Sequence, residues 1–518
     1  MNANWTSGYV SDVTYTLGFY RELAPTFLHF CAVLNGVEGP ALDKPLRYCE
    51  LGCGRGYSTA LLAAANPNYE FVGIDFNPSH VAEARNLAAR AKLTNVTFVE
   101  ASFGDAARST DRKFADFDIV ALHGVYTWVE RSVRNDIVHF IREKLVAGGL
   151  VYNSYNALPG WAMAIPIQHV LMEVTRRTSR DSFAALKEGY ELLKTLVEKQ
   201  SGFVQQNPGI KARIENMGKQ DLSYLAHEFL NAGWEPLYIT DVMKNFAEAK
   251  LTYIGSATPV ENRIELCVPR DLQATVQAAP DLAMRELLKD YAVNKQFRRD
   301  LYVKGASVLQ PQEQRARFHA ITFTLATLDK KLPEKFTFPV GEFTVKPEAV
   351  AALTELLAAK PATGAEIIAA TAKAGLREPD VVLWLLVLVQ GGIVAPVRPD
   401  HHAMDRAPAH RLNNLIVSLS PGADSHRFLC APVTGSAFGA GYLDRIVAPL
   451  MVKAPKDDNA AIARKAFDML ESAGRGFVRD GKTLAKTDEN IQDIAKAVGE
   501  FREVRLPRWR ALGAIGKA

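Results

Sequence analysis

The chain has 518 residues, enough for about three or four domains of ordinary size. Its hydrophobic fraction of 48%, its charged fraction of 23% and its net charge of +4 are typical of a soluble globular protein, and so small a net charge does not predict nucleic-acid binding. The first residues contain neither a basic nor an apolar leader region, and the apolar run 381–389 is too short to span a bilayer, so we expect a cytoplasmic protein without a membrane span.

The first predicted element precedes Pro25. Three tyrosines, Tyr9, Tyr15 and Tyr20, lie in a stretch whose pattern otherwise suits a helix. We expect this segment to cover a ligand site and exclude water from it, with Tyr15 and Tyr20 contacting the substrate. Packing at the surface is an equally good interpretation for each tyrosine taken alone.

A glycine-rich loop follows the first predicted strand. Residues 48–56 read Tyr-Cys-Glu-Leu-Gly-Cys-Gly-Arg-Gly, in which Glu50 closes the strand and three glycines allow a tight turn and close approach of a ligand: Gly52, Gly54 and Gly56. The chain's five cysteines form neither a CxxC pair nor a metal-like cluster, so we expect reduced thiols and no metal site. Cys53, within the loop, is expected to fill space.

A second apolar run, Phe71 to Asp75, ends in a carboxylate about 20 residues after the last glycine. At this offset a carboxylate binds a ribose hydroxyl in βαβ nucleotide sites. The glycine spacing is GxGxG and not the GxGxxG of dinucleotide sites, which favours a ligand without phosphates. A glycine-rich turn without a ligand is the alternative, and the paired Asp75 disfavours it.

Strand and helix patterns alternate from residue 46 to residue 156, which predicts a parallel, doubly wound sheet with right-handed crossovers. The predicted helices cover 57–65, 78–91 and 132–145, and the predicted strands are Leu46–Glu50, Phe71–Asp75, Val96–Val99, Asp118–Leu122 and Leu150–Tyr155. Ligands of such sheets bind at the carboxyl ends of the strands. We therefore expect the site among the residues that follow them: Gly52–Gly56, Asp75, Phe76, Ala101, Ser102, His123–Trp128 and Asn153–Asn156.

Two of these segments combine aromatic and amide side chains. Residues 122–129 read Leu-His-Gly-Val-Tyr-Thr-Trp-Val, and residues 152–161 read Tyr-Asn-Ser-Tyr-Asn-Ala-Leu-Pro-Gly-Trp. The glycine loop resembles motif I of class I S-adenosylmethionine-dependent methyltransferases. Both aromatic segments resemble signatures of bacterial methyltransferases that carry a methyltransferase regulatory domain, a group that includes lysine methyltransferases acting on outer-membrane proteins. The resemblance covers residues 9–305 and is weaker towards the C-terminus.

The resemblance implies S-adenosylmethionine as the cofactor, with the glycine loop at its methionine part. The expected cofactor-binding residues are Glu50, Gly52, Gly54, Gly56, Asp75, Phe76, Ala101, Ser102 and His123. Methyl transfer needs a neutral or anionic nucleophile held in line with the methyl group, and aromatic faces suit a cationic sulfonium and an amine. The expected catalytic residues are His123, Tyr126, Tyr155 and Asn156, and the expected substrate-binding residues are Tyr15, Tyr20, Trp128, Asn153, Trp161, Tyr224 and His227.

Each of these aromatic residues has burial in the core as an alternative, and the His227–Glu228 pair beside Tyr224 is also typical of a structural polar network. Residues 161–249 are mainly helical by pattern and predict a lid over the substrate side. The segments Lys250–Ala257 and Arg263–Pro269 suit two strands joined by a turn. We therefore expect the catalytic sheet to close near residue 270.

The C-terminal part has the pattern of a winged helix. Predicted helices at Glu348–Lys360, Gly364–Ala374 and Glu378–Gln390 precede a turn and a wing strand. The third helix contains no Lys or Arg, which excludes DNA binding by it. Burial of its leucines in a core or interface is expected instead, as in a protein-docking or dimerising module: Leu383, Leu385 and Leu388.

The sequence thus predicts an α/β fold with a doubly wound Rossmann-like sheet, a helical lid and a C-terminal winged-helix-like α+β domain. The expected units are a cofactor-binding core (1–160), the lid (161–249), the closing strands (250–270), a helical connector (271–345) and the C-terminal domain (346–518). The expected activity is methylation of protein lysine side chains, and the expected partners are a protein substrate and, through the C-terminal domain, a second copy of the chain in a homodimer. Methylation of a small molecule or of a glycan hydroxyl, and a catalytically silent cofactor-binding protein, are the alternatives.

Overall fold

The computed structural model describes residues 8–10, 12–13, 17–178, 181–327, 333–338, 340–479 and 482–516. A seven-stranded sheet has the strand order β3-β2-β1-β4-β5-β7-β6, in which the first five strands pair in parallel and β7 is antiparallel to both β5 and β6. The strands are β1 Arg47–Leu51, β2 Glu70–Asp75, β3 Val96–Glu100, β4 Phe117–His123, β5 Leu145–Asn156, β6 Leu251–Ser256 and β7 Phe297–Lys304. The predicted doubly wound sheet is confirmed.

Five helices accompany the parallel strands: α1 Pro25–Leu34, α2 Tyr57–Ala65, α3 Pro78–Arg90, α4 Phe103–Arg108 and α5 Arg131–Lys144. The central strands are buried on both faces, which explains their near-continuous apolar sequences. Helix α3 starts sharply because the Asn77 side chain accepts hydrogen bonds from the backbone of Ser79 and His80, and Pro78 occupies the first helical position. The carboxyl end of β2 is thereby fixed.

The closing strands differ from the expectation. Strand β6 forms where it was predicted, but Arg263–Pro269 contains a short helix, and β6 instead pairs with β7. Strand β7 was not predicted because two arginines and an aspartate interrupt its apolar pattern; Arg298 and Asp300 are buried and form an ion pair within the strand. The sheet is therefore complete at residue 304 and not near residue 270.

Residues 161–249 are mainly helical, as expected, and their role as a lid stays a prediction. The helices of this region are α6 Ile165–Arg177, α7 Ser182–Glu198, α8 Gly202–Gln206, α9 Pro208–Met217, α10 Leu222–Phe229 and α11 Ile239–Ala247. Helices α6 to α10 form a hydrophobic core of their own that also includes Trp128 from the loop after β4 and Trp161. These helices are thus packed directly on residues of both aromatic segments.

The connector contains α12 Ile264–Cys267, α13 Arg270–Gln277, α14 Leu282–Val293 and α15 Pro311–Ala320. The winged-helix-like unit that follows comprises β8 Thr322–Leu325, a hairpin of β9 Lys335–Phe338 and β10 Gly341–Thr344, α16 Pro347–Ala359, β11 Ala362–Thr363, α17 Gly364–Ala372, α18 Glu378–Gln390 and β12 Val394–Pro396. Strand β8 lies between β11 and β12, so the unit begins before residue 346. In α18, Leu385 and Leu388 are fully buried, as predicted, and Leu383 is half-buried. A dimerising role for this unit stays a prediction.

The last part of the chain is also mainly helical. It contains α19 Ala407–Leu419, a hairpin of β13 Phe428–Ala431 and β14 Ser436–Gly439, α20 Tyr442–Lys453, α21 Asn459–Ser472, a short hairpin of β15 Val478–Arg479 and β16 Lys482–Thr483, α22 Asp488–Glu500 and α23 Leu506–Ala511. One continuous core joins these elements to α1 and α2. None of the helices in the described part of the chain has the length and apolar character needed to cross a membrane.

Buried polar contacts fix the C-terminal elements to the catalytic sheet. The Arg398 side chain is fully buried and bonds to Asn66 and Asn68, which follow α2. Thr26 Oγ1 donates to the Thr434 carbonyl over 2.7 Å. The chain therefore behaves as one structure around the site and not as a catalytic domain with loosely attached modules.

Candidate active site

The glycine loop between β1 and α2 requires left-handed backbone at three positions. Gly52, Gly54 and Gly56 have φ values of 70°, 53° and 69°. A Cβ atom on Gly52 would collide with Val125 and one on Gly56 with Ala84, whereas a Cβ on Gly54 would meet no atom within 4 Å. Gly54 is thus the position at which the loop backbone faces open space, and Gly56 serves the packing of α2.

Asp75 ends β2 beside this loop. Its Oδ2 accepts a hydrogen bond of 2.9 Å from the Gly54 backbone, and its Oδ1 accepts one of 2.9 Å from the Asn77 backbone. His80 Nδ1 lies 3.5 Å from the same carboxylate. The glycine loop and the carboxylate at the end of β2 are therefore connected before any ligand binds.

A cavity of about 380 Å³ runs along the carboxyl ends of β1 to β4. This volume is in the usual range for small-molecule sites, roughly 300–1,000 Å³. Seven of the predicted cofactor-binding residues line it: Gly52, Gly54, Asp75, Phe76, Ala101, Ser102 and His123. We call it the cofactor cavity.

Glu50 and Gly56 do not line the cofactor cavity. Glu50 lies behind the loop, where its carboxylate accepts a hydrogen bond from Thr59 and faces a smaller cavity of about 70 Å³. Burial raises the pKa of Glu50 to about 7. Residues that sequence reasoning missed include His80 and Phe103, in the first turns of α3 and α4, and Asp136, in the second turn of α5. For His80 and Phe103, a position shortly after a predicted strand end was the signal available.

His123 occupies the end of β4. Its Nδ1 lies 3.0 Å from Tyr152 Oη and 3.1 Å from Ser154 Oγ, and the Tyr20 ring stacks on it with 3.6 Å between ring centroids. Burial, with the nearby Arg299 charge, lowers the pKa of His123 to about 3. An imidazole with so low a pKa stays neutral near pH 7, which argues against His123 as a catalytic base there.

This environment predicts a pH profile. Because His123 with a pKa near 3 stays neutral between pH 5 and pH 9, it should produce no inflection in kcat/KM over that range. The variant His123→Asn should lower turnover through lost stacking yet leave the shape of the profile unchanged. An inflection near pH 6.5 that disappears in His123→Asn would contradict the assignment of a neutral, positioning imidazole.

Tyr126 and Tyr155 lie on the face of the sheet opposite His123. Tyr126 is fully buried against Phe246, and the Tyr155 hydroxyl donates to Asp300 Oδ2 over 2.6 Å. The expectation that these two tyrosines are catalytic is corrected. For Tyr155, the reason is the alternation of side chains along β5, which directs Tyr152 towards His123 and Tyr155 into the core beneath the sheet.

Asn153 is also buried in the sheet, and its side-chain amide has no hydrogen-bond partner among the described residues. It does not line the cofactor cavity. Trp161 packs in the lid core, where the Arg213 guanidinium lies 4.4 Å from its ring. His227 Nε2 lies 2.9 Å from the Val13 carbonyl, and burial lowers the pKa of this histidine to about 4.

The N-terminal segment reaches the site without forming the expected helix. Tyr9 lines the cofactor cavity and meets the Phe76 ring edge-on at 5.6 Å. Tyr20, with 39% of its surface exposed, lies in extended backbone before a short 3-10 turn at Arg21–Leu23. No α-helix precedes α1 in the described residues 8–10, 12–13 and 17–24. Tyr15 lies outside the described residues.

The buried carboxyl group of Glu228 accepts hydrogen bonds from several residues that were predicted to lie at the site. Asn156 Nδ2 and Trp234 Nε1 donate to Glu228 Oε1, the latter over 3.2 Å. Trp128 and Tyr224 also form hydrogen bonds to this carboxyl group. Burial raises the pKa of Glu228 to about 7, and the four donors oppose that rise. We call Glu228 and these four residues the Glu228 cluster.

The contacts of Asp75 predict its contribution to cofactor binding. Asp75→Ala removes an acceptor of charge-assisted hydrogen bonds, worth about 1.5–3 kcal/mol. Affinity for S-adenosylmethionine should fall by about one to two orders of magnitude in calorimetry. The exposed Glu143 of α5 provides the control, because Glu143→Ala removes a carboxylate outside the cavity and should leave affinity unchanged. NADH binding that weakens in the same variant would contradict the cofactor assignment.

Comparison with known proteins identifies two matching sequence families, a full-length relative and a solved structure with a similar fold. Residues 42–245 match the family model of a methyltransferase domain, and residues 221–304 match that of a predicted methyltransferase regulatory domain. An uncharacterized protein of Synechocystis sp. is 33% identical over 510 residues, covering 98% of this chain and 99% of the relative. The solved structure of PKMT2 from Rickettsia typhi in complex with AdoHcy superimposes with a TM-score of 0.69 at 18% identity, over 96% of this chain and 99% of that one.

Proposed function

Because the chain belongs to the class I S-adenosylmethionine-dependent methyltransferases that carry a methyltransferase regulatory domain, we propose that it methylates lysine side chains of proteins. The cofactor and the reaction class follow from the family. The lysine acceptor is supported by the resemblance of the two aromatic segments to lysine methyltransferases and by the shared fold with PKMT2, whose name hints at the same activity.

The cofactor cavity fits S-adenosylmethionine, which supplies an electrophilic methyl group on a cationic sulfur. Gly52 and Gly54 would lie against its methionine part, where the open space at Gly54 admits a ligand. Asp75 would bind the ribose hydroxyls, and the aromatic ring of Phe76 would face the adenine side. No positive side chain lines the cavity among the described residues, in keeping with a ligand that lacks phosphates.

The observation that carries the lysine proposal is the position of Trp128. This residue lines the cofactor cavity and is also hydrogen-bonded to Glu228 in the Glu228 cluster. An aromatic, acid-containing environment thus adjoins the cavity on the lid side. Aromatic faces and a carboxyl group together favour an amine, which arrives as an ammonium cation, over a hydroxyl or carboxylate acceptor.

Proton balance also favours an amine. A lysine ammonium, with a pKa of about 10.4, must lose one proton before its nitrogen lone pair can attack the methyl carbon. The C–S bond then breaks, and its electron pair stays on sulfur. Glu228, whose pKa burial raises to about 7, does not itself line the cofactor cavity, so it would act on such a proton only through Trp128, which lines the cavity and is bonded to it. A hydroxyl acceptor would need a stronger base, and His123 is a weak one.

Transfer of labelled methyl groups tests the proposal. The protein is incubated with a bacterial lysate and methyl-labelled S-adenosylmethionine, and labelled proteins are hydrolysed to identify methyl-lysine. The expected result is label in methyl-lysine with the native protein. With the Gly54→Val variant, this label should be absent. Label confined to low-molecular-weight material would instead identify a small-molecule methyltransferase. Cofactor binding without transfer would identify a silent binding protein.

A further inference from the structure

A groove of about 460 Å³, larger than the cofactor cavity, lies between the catalytic sheet and the C-terminal elements. One side is the segment before α1 together with Arg299 of β7, and the other side is formed by β12 and the β13–β14 hairpin. We call it the interdomain groove. Its lining includes Tyr20, Arg299, Ala395, Phe428, Ala437 and Phe438.

The inner end of the interdomain groove reaches the site of methyl transfer. Tyr20 lines the groove and, through its ring, stacks on His123 at the end of β4. Tyr20 and His123 also line the small cavity that contains Gly52 and Gly54. A chain lying in the groove would therefore end near the cofactor loop, at the partly exposed ring of Tyr20, which lines both the groove and the small cavity.

The outer walls of the groove are suited to an extended polypeptide. Strand β12 is the edge of its three-stranded sheet, and β14 pairs with β13 alone among the described strands. Edge strands carry backbone donors and acceptors that can pair with an added strand. Ala395 of β12 and Ala437 of β14 are half-buried residues with small side chains, so room is left beside both edges.

The groove is preformed. Its far wall is attached to the catalytic core by the bond from Thr26 to Thr434 and by the Tyr57 hydroxyl, which donates to the Phe428 carbonyl over 2.7 Å. Charge is concentrated at the inner end, where Arg21, Glu22 and Arg299 lie, and apolar side chains line the outer end. A preformed site of this kind costs little conformational entropy when it binds a flexible chain.

We propose that the interdomain groove binds the acceptor polypeptide as an extended segment flanking the residue that is methylated. Its edge strands bond to the backbone of that segment, and its apolar outer end receives small or apolar side chains. The proposal rests on the proposed function, because it assumes a polypeptide acceptor. It assigns the C-terminal half of the chain a direct part in substrate selection.

The test fills the groove without touching the transfer site. Ala395→Trp and Ala437→Trp each place an indole between the walls, and Ala351→Trp on the exposed face of α16 is the matched control. The acceptors are an oriented peptide library with a fixed central lysine and, as a groove-independent acceptor, N-acetyl-lysine methylamide. Thermal unfolding confirms that each variant is folded.

The native protein should prefer apolar residues on one side of the central lysine. Both groove variants should raise KM for the preferred peptide by about tenfold or more, with cofactor affinity and turnover of N-acetyl-lysine methylamide unchanged. Unchanged peptide KM in both folded variants, or equal loss in Ala351→Trp, would overturn the groove assignment. Absence of transfer to every peptide and to the small amine would instead overturn the proposed lysine activity. The proposal that the groove binds an acceptor polypeptide would then fall as well.

Discussion

Replacing Gly54 with valine is expected to abolish binding of S-adenosylmethionine while leaving the protein folded. The new side chain would project into the open space where the loop faces a ligand, since nothing lies within 4 Å of that position. The backbone strain of a non-glycine residue at φ 53° costs about 1–2 kcal/mol, which a protein of this size tolerates. Calorimetry should show affinity reduced by at least about a hundredfold.

Gly148 provides a matched control for this variant. It has φ 79°, and a Cβ atom placed on it would likewise meet no atom within 4 Å, but it lies near the start of β5 and outside the cofactor cavity. Gly148→Val should therefore show the same backbone strain in thermal unfolding with normal cofactor affinity. Native affinity in Gly54→Val, or equal loss in both variants, would remove the glycine loop from the site.

Asn156→Ala is expected to reduce turnover by about a hundredfold with cofactor affinity nearly intact. Asn156 ends β5 on the lid side and donates to Glu228, so its loss leaves the Glu228 cluster without one of its donors. Displacement of an acceptor by about 1 Å can cost a factor of that size in rate. Single-turnover kinetics should place the loss in the chemical step.

Two further variants make this prediction specific. Glu228→Gln should reduce turnover similarly, and the double variant should lose little more than either single one, because both changes disrupt the same cluster. Asn245→Ala is the control, since Asn245 bonds to Tyr126 on the opposite face of the sheet. If Asn156→Ala weakens cofactor binding and turns over normally at saturating cofactor, Asn156 belongs to the cofactor cavity instead.

The glycine loop and Asp75 could be predicted because their chemistry depends on local residues and short spacings. Both the glycines that a tight turn requires and the carboxylate at the end of a strand can be recognised in the amino-acid sequence. The directions of Tyr126 and Tyr155 depend on how the surrounding strands and loops pack, so the presence of aromatic residues in the right segment did not place them at the site. In β5, one residue along the strand changes the face.

The Glu228 cluster could not be predicted from the sequence for a different reason. Its members come from the loop after β4, the end of β5 and two parts of the lid, and only folding brings them together. Trp128 and Tyr224 were expected to bind substrate and Asn156 to be catalytic, but Glu228 itself also had an interpretation as part of a structural network. Strand β7 was missed for a related reason, because Arg298 and Asp300 neutralise each other only once both are buried in the sheet.

The buried Arg398 also has a thermodynamic consequence. Its guanidinium bonds to Asn66 and Asn68 across the junction, and the surrounding apolar core is continuous from α1 and α2 into the C-terminal helices. Separating the two halves would break the bonds to Asn66 and Asn68 and expose apolar surface on both fragments, while Arg398 would keep its ion pair with Asp400. We therefore expect the halves to unfold in one cooperative transition, and truncation between them to yield an aggregation-prone fragment in place of a minimal enzyme.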